Sequence, residues 1–228
     1  MSVDIIKVNM GKSNAYLING NSGLILVDAG MPKKTNKLCE ILNKNNFKIK
    51  DIKIIIVTHV HNDHVGSLYE IKERSNAKIL VHKNEVNNLA IGYTKFPKGT
   101  FIFSKIISKF ANNLLFSKNQ FKPVKADIII KDSFDLNEYG VNGEVFYTSG
   151  HTDGSISVIV DNKHLIVGDT LFNWFPNSVY PPFANNKEKL IISWKKINDL
   201  NFEYLYPGHG NIFKKEKFKK SLNKHLLD

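Results

Sequence analysis

The sequence predicts an α/β (α+β) protein in which two packed sheets carry helices on the outside, and three observations predict it. Short runs of branched apolar residues recur, such as Leu-Ile-Leu-Val-Asp at 24–28 and Ile-Lys-Ile-Ile-Ile-Val at 52–57. Runs of that length that stop at Gly or Thr read as buried strands. Stretches with helical spacing lie between them, and the same rhythm of strands followed by a helix occurs in both halves of the 228 residues.

Taken in order, residues 3–9 and 15–19 read as strands around a turn at 10–13, and 24–28 as a buried strand that stops at Gly30. Leu38, Ile41 and Leu42 give residues 35–46 helical spacing, with Thr35 as the expected N-cap. A strand at 52–57 ends at Thr58, a short helix follows at 66–74, and residues 77–81 form another strand. Residues 92–125 break the rhythm. Ile102, Ile106, Phe110 and Leu114 recur every four residues with Phe103, Ile107 and Leu115 beside them, which predicts an amphipathic helix. It reads as an inserted lid or cap within a single domain spanning 1–228, with a packing helix or a dimer face as alternatives. The second half predicts strands at 127–130, 144–148, 155–160, 164–168 and 203–206, and helices at 187–199 and 214–226.

Composition narrows the classes. With 42% apolar and 23% charged residues, the chain can bury one sizeable core. Its single cysteine, Cys39, excludes an internal disulfide. No apolar run reaches the roughly 18 to 20 residues of a membrane span, and the first residues lack the pattern of a signal peptide. A cytoplasmic protein is the expectation. The net charge of +11 raises the question of nucleic acid, but Arg74 is the single arginine, and arginine is the usual reader of phosphates and base edges. A solvated lysine surface is the simpler reading.

The chemistry sits in His59-Val60-His61-Asn62-Asp63-His64. Two histidines two apart on an extended segment project to one side and can share an ion, and a tight turn after them brings Asp63 and His64 back to a neighbouring point. Imidazole nitrogen and carboxylate oxygen suit divalent zinc at about 2.0 to 2.2 Å. Without a cation such a cluster is mutually repulsive. His82, His164 and His225 stand outside any motif and read as core or surface residues. Met10-Gly11-Lys12-Ser13 lacks the earlier glycine of a P-loop, since Ile6 stands there.

The run from Thr58 to Gly66 resembles the signature loop of the metallo-β-lactamase superfamily. The family's other motifs follow in order: Asp28-Ala29-Gly30, Gly150-His151-Thr152, Gly168-Asp169-Thr170 and Pro207-Gly208-His209-Gly210. The resemblance implies a four-layer αββα sandwich of two mixed sheets with outer helices. It also implies two divalent ions, zinc foremost with iron or manganese as alternatives. His59, His61 and His151 would hold one, Asp63, His64 and His209 the other, and Asp169 would bridge them. A hydroxide shared by the pair would attack an electrophilic carbonyl or phosphoryl, with Asp63 as the catalytic residue that orients it. Asp28 would act from behind the ligands by hydrogen bonds, or simply close a turn.

Phe172, Trp174, Phe175 and Tyr180 follow Asp169 closely and are candidates for an apolar substrate wall, with core packing as the alternative for each. The expected activity is hydrolysis of an ester, lactone or thioester of a small, partly apolar substrate. No cysteine stands near Asp169, as it would in the commonest zinc β-lactamases, and no glutathione-binding helical domain follows His209. Two alternatives are an oxidoreductase similar to the mononuclear iron persulfide dioxygenases and a phosphodiesterase or nuclease. A homodimer is compatible with this pattern.

Overall fold

Two alternations decide the layering. In strands β3 (Gly23–Val27) and β4 (Ile52–Ile56), Leu24, Leu26 and Ile55 face one cluster of buried residues, while Ile25, Val27, Ile54 and Ile56 face another. Successive side chains of a strand point to opposite faces, so a strand apolar on both must be covered on both. The computed structural model of the chain describes residues 3–114 and 119–226. It places β3 and β4 inside a six-stranded sheet ordered β1-β2-β3-β4-β5-β6. The other members are β1 (Ile5–Asn9), β2 (Asn14–Gly20), β5 (Lys78–His82) and β6 (Ile128–Ile130). β1 to β3 pair antiparallel, and β3 to β6 pair parallel.

The second sheet is ordered β12-β11-β10-β9-β8-β7. It comprises β7 (Ser133–Asp135), β8 (Gly143–Tyr147), β9 (Ile156–Val160), β10 (His164–Asn173), β11 (Tyr204–Gly210) and β12 (Phe213–Lys214). β10 and β11 are parallel and the remaining pairs antiparallel. Ile25, Ile54 and Leu80 of the first sheet meet Val145, Val158 and Ile166 of the second in the central core. Helices α1 (Thr35–Lys44) and α3 (Leu68–Ser75) cover the first sheet with Leu38, Leu42, Leu68 and Ile71. Helices α6 (Lys187–Asp199) and α7 (Lys215–Leu226) cover the second with Leu190, Trp194, Ile197, Phe218 and Leu222. The four-layer αββα sandwich is therefore what the chain forms. Each of these large side chains contributes about 1.5–3 kcal/mol by leaving water.

Some local readings change. The cap of α1 is Lys34, and Thr35 lies inside the helix, where its hydroxyl donates to Glu70 Oε2 at 2.8 Å. Two short helices, α2 (Asn62–Val65) and α4 (Val86–Ile91), were not legible as periodic patterns because each is under two turns long. β10 continues beyond 168 to Asn173, passing through a bulge at Gly168. The amphipathic helix at 92–125 exists as α5 (Ile102–Leu114), but its orientation is the reverse of a packing helix: Ser104, Ser108 and Ala111 are buried, and Ile102, Phe103, Ile106, Ile107 and Phe110 face outward. Leu115 of that stripe lies outside the described residues. Among the described residues no helix is long and apolar enough to cross a membrane.

Candidate metal centre

The seven residues picked from sequence converge where strand ends of the two sheets meet. His59 and His61 follow β4, and His61 still has extended backbone. The single turn of α2 then carries Asp63 and His64. The second sheet brings His151 from the loop between β8 and β9, Asp169 from β10 and His209 from β11. Three overlapping groups result, each with its donor atoms within 4.8 Å of one another: His59, His61 and His151; His59, His64 and Asp169; Asp63, His64 and His209. Asp169 lies in the middle. Its Oδ2 is 3.5 Å from His151 Nε2, 3.8 Å from His59 Nε2 and 3.3 Å from His209 Nε2, and its Oδ1 is 3.2 Å from His64 Nε2.

The outer ring atoms explain why the inner ones converge. His64 Nδ1 donates to Asp28 Oδ2 at 2.8 Å, His209 Nδ1 to the Lys12 carbonyl at 2.8 Å, and His151 Nδ1 to the Phe183 carbonyl at 2.9 Å. His59 Nδ1 donates to Thr58 Oγ1, which itself donates to Asp28 Oδ2. Each acceptor assigns a proton to Nδ1 and leaves Nε2 aimed inward, where it can ligate whenever it carries no proton of its own. The inward nitrogens crowd one another: His64 Nε2 is 3.4 Å from His209 Nε2, and His151 Nε2 is 3.0 Å from His61 Nδ1, a pair that a single ring proton can bridge. His59 Nε2 is buried with no hydrogen-bond partner among the described residues. Facing, buried lone pairs are repulsive unless a proton or a metal ion lies between them. This donor set of imidazole and carboxylate can hold divalent metal ions.

The electrostatics divide the histidines in two. Burial, and then the neighbouring imidazoles, hold His59 well below the ordinary range and push His61 down to about 3; burial likewise lowers His151. These three are neutral and ready to ligate at pH 7. Burial also opposes charge on His64 and His209, but the surrounding carboxylates outweigh it. Asp169, Asp28 and Asp63 raise His64 well above its usual value, and Asp169 and Asp63 raise His209 to about 9. Burial works against the Asp169 carboxylate as well, yet His209 and His64 hold its pKa well below the usual range. In the metal-free protein, protons on His64 and His209 balance the carboxylates, and bound metal would displace them.

The candidates for a substrate wall separate. Phe172 stacks on the His209 ring at 4.6 Å between centroids, and Trp174 meets that ring edge-on at 5.3 Å. Trp174 is half exposed, so it borders the site from the solvent side. Phe175 and Tyr180 do not touch the cluster itself. Phe175 contacts Phe101, and Tyr180 is buried against Trp194 and His225 under α6 and α7. The histidines outside the motifs take structural roles. His82 stacks on Tyr147 and bonds the Lys131 carbonyl, and His164 bonds Tyr206 Oη.

Several supporting roles are not legible in the sequence. Thr58, Lys12 and Phe183 hold the rings of candidate ligands, and the Ser13 hydroxyl donates to the Asp63 carbonyl. Buried Glu85 lies against Thr152 and the backbone at Val60 and Gly154, beneath the loops of His61 and His151; its Oε2 has no hydrogen-bond partner among the described residues, and burial raises its pKa. Gly208 stands in the Pro207–Gly210 motif beside His209. A Cβ there would collide with Asp169 Oδ1 and lie 2.7 Å from His64 Cε1. Gly208→Ala is expected to fold with a loss of about 1–3 kcal/mol from overpacking and to weaken metal binding by about 5- to 150-fold, the same energy expressed as affinity. Chelator competition on the purified variant measures it, and wild-type affinity would show that the site tolerates the methyl group.

A family model described as the metallo-beta-lactamase superfamily matches residues 8–209. A probable metallo-hydrolase of Methanocaldococcus jannaschii is 33% identical over 203 residues, 88% of this chain and 88% of the relative. An acyl-coenzyme A thioesterase of Bos taurus is 25% identical over 222 residues, 90% of this chain and 76% of the relative. Among solved structures, an archaeal metallo-beta-lactamase superfamily protein from Sulfolobus tokodaii superposes with a TM-score of 0.73 at 23% identity, over 97% of this chain and 86% of that one. At that identity the likeness shows the fold alone.

Proposed function

Because the chain belongs to the metallo-beta-lactamase superfamily, we propose that it is a hydrolase that holds two divalent ions, zinc foremost, and cleaves a thioester, ester or lactone with a small, partly apolar acyl part. One observation carries this reading: the ring nitrogens of five histidines and the carboxylates of Asp63 and Asp169 meet as three interlocking donor groups. His59, His61 and His151 would hold one ion, Asp63, His64 and His209 the other, with Asp169 between them. Ions bound there would polarise a substrate carbonyl and make a water molecule nucleophilic near neutral pH.

The protein's own groups supply the rest. The Asp63 side chain is 30% exposed, against 5% for Asp169 and 2% for Asp28, so it is the carboxylate of the three that water can approach. The Asp63 carboxylate would align the attacking water and take its proton. Water adds its oxygen to the acyl carbon, the bond from that carbon to sulfur breaks, and the proton passes to the departing thiolate, giving an acid and a thiol. Phe172 and Trp174 offer an apolar wall beside His209 for the acyl group. The thioesterase of Bos taurus supports placing thioesters first among the candidates.

The test is a panel of acyl thioesters, esters, lactones and phosphodiesters offered to the metal-loaded chain. Thioester turnover should exceed phosphodiester turnover, disappear with chelator and return with divalent metal. Turnover of phosphodiesters alone, or oxygen uptake by a protein carrying one iron, would overturn the proposal.

A further inference from the structure

Helix α5 is built inside out. Its inward face consists of Ser104, Ser108 and Ala111, which are 0%, 8% and 3% exposed. Ser104 Oγ accepts from the Phe101 amide, and Ser108 Oγ donates to the Pro97 carbonyl. Spacings of four and three place these residues on one side of the helix. Ile102, Ile106 and Phe110 occupy the opposite side with Phe103 and Ile107 next to them, all 47% to 81% exposed. Isolated exposed apolar residues are ordinary, but five on one helix form a patch that calls for a partner. Exposed Lys105 and Lys109 border the stripe on its other flank, and residues 92–126 contain no aspartate or glutamate.

We propose that this face docks on an anionic phospholipid bilayer, with α5 lying in the plane of the headgroups. Charge complementarity selects that occupant. Ile102, Ile106 and Phe110 would enter the headgroup–acyl boundary while Lys105 and Lys109 reach lipid phosphates. The net charge of +11 adds attraction at longer range. A second copy fits less well, because a two-fold contact through α5 would bring the lysines of both copies together with no acid on the segment to pair them.

The patch also leads to the candidate metal centre. Phe103 stacks on Phe101 at 5.7 Å, Phe101 meets Phe175 at 6.3 Å, and Trp174, next in the chain to Phe175, stands 5.3 Å from His209. A substrate whose acyl chain partitions into the bilayer would approach along one apolar surface. That extension rests on the proposed hydrolase, whereas the docking does not.

The experiment is cosedimentation of the full, metal-loaded chain with vesicles of phosphatidylcholine alone and of phosphatidylcholine mixed with phosphatidylglycerol, at low and high salt. Partitioning onto the mixed vesicles should be at least about tenfold stronger than onto neutral ones and should weaken with salt. Ile106→Ser/Phe110→Ser should lose at least about tenfold of it with circular dichroism and metal content unchanged. Lys105→Glu/Lys109→Glu should lose the preference for anionic lipid. Absence of partitioning, or partitioning equal in the serine variant, would overturn the proposal. So would a dimer in light scattering that the serine variant dissociates while neither form binds vesicles, since a second copy would then cover the face. Every arm reads lipid binding rather than turnover, so failure here and failure of the hydrolase reading are distinguishable.

Discussion

Asp169→Ala is expected to remove most of the bound metal and to lower hydrolysis by at least about a hundredfold. Asp169 Oδ1 and Oδ2 lie 3.2 to 3.8 Å from the inward nitrogens of His59, His64, His151 and His209, so both proposed ions depend on one carboxylate. The same carboxylate balances charge when no metal is bound. Asp169 is buried beside two histidines whose pKa values it raises. Removing one partner of a buried pair costs about 3–5 kcal/mol, so the metal-free variant should also unfold at a lower temperature. Asp169→Asn keeps the shape and removes the charge, and it should recover part of the packing but little of the metal. Elemental analysis and thermal unfolding of the three proteins measure both effects. An alanine variant that retained two ions would remove Asp169 from the bridging position.

Asp28→Ala is expected to weaken metal binding by roughly 10–100-fold without touching a single proposed ligand atom of the centre. Asp28 accepts three hydrogen bonds: from His64 Nδ1, from Thr58 Oγ1 and from the Thr58 amide, each at 2.8 Å. Through Thr58 it also steers His59. It does this from a left-handed backbone, with φ of 63°, where a Cβ costs about 1–2 kcal/mol. Strain held at a residue that orients others is a mark of function rather than of turn-making. Asp28→Gly separates the two effects. Both variants lose the tether and should bind metal equally weakly, but the glycine variant should be the more stable by about 1 kcal/mol. Calorimetry and chelator competition read stability and affinity separately. Wild-type affinity in both variants would reduce Asp28 to a turn carboxylate.

The sequence carried the centre more completely than the scaffold around it. His59, His61, Asp63 and His64 lie within six residues, and clustering of that density has no structural explanation without a cation. His151, Asp169 and His209 came only through the order of the family motifs, since nothing local marks them as neighbours. The groups that hold the rings were not legible, because the acceptors at Lys12 and Phe183 are backbone carbonyls, which any residue type provides. Periodicity behaved similarly at α5. It revealed a stripe from Ile102 to Phe110 but not the direction in which the stripe points, which depends on Ser104 and Ser108 finding partners inside. Phe175 and Tyr180 were grouped with Phe172 on sequence distance, yet the chain turns away after Trp174.

Each of the three donor groups takes two members from the hexapeptide that follows β4 and runs into α2, and one from the second sheet. During synthesis the first sheet can pair its strands long before His209 leaves the ribosome, and segments that are complete tend to fold first. The hexapeptide then emerges with two thirds of every donor group and no closing ligand. Tight metal capture would thereby be postponed to the docking of the second sheet, and bound metal would be the clasp that records its arrival. Loss of metal from the mature chain should accordingly loosen the junction between the sheets before it loosens either sheet.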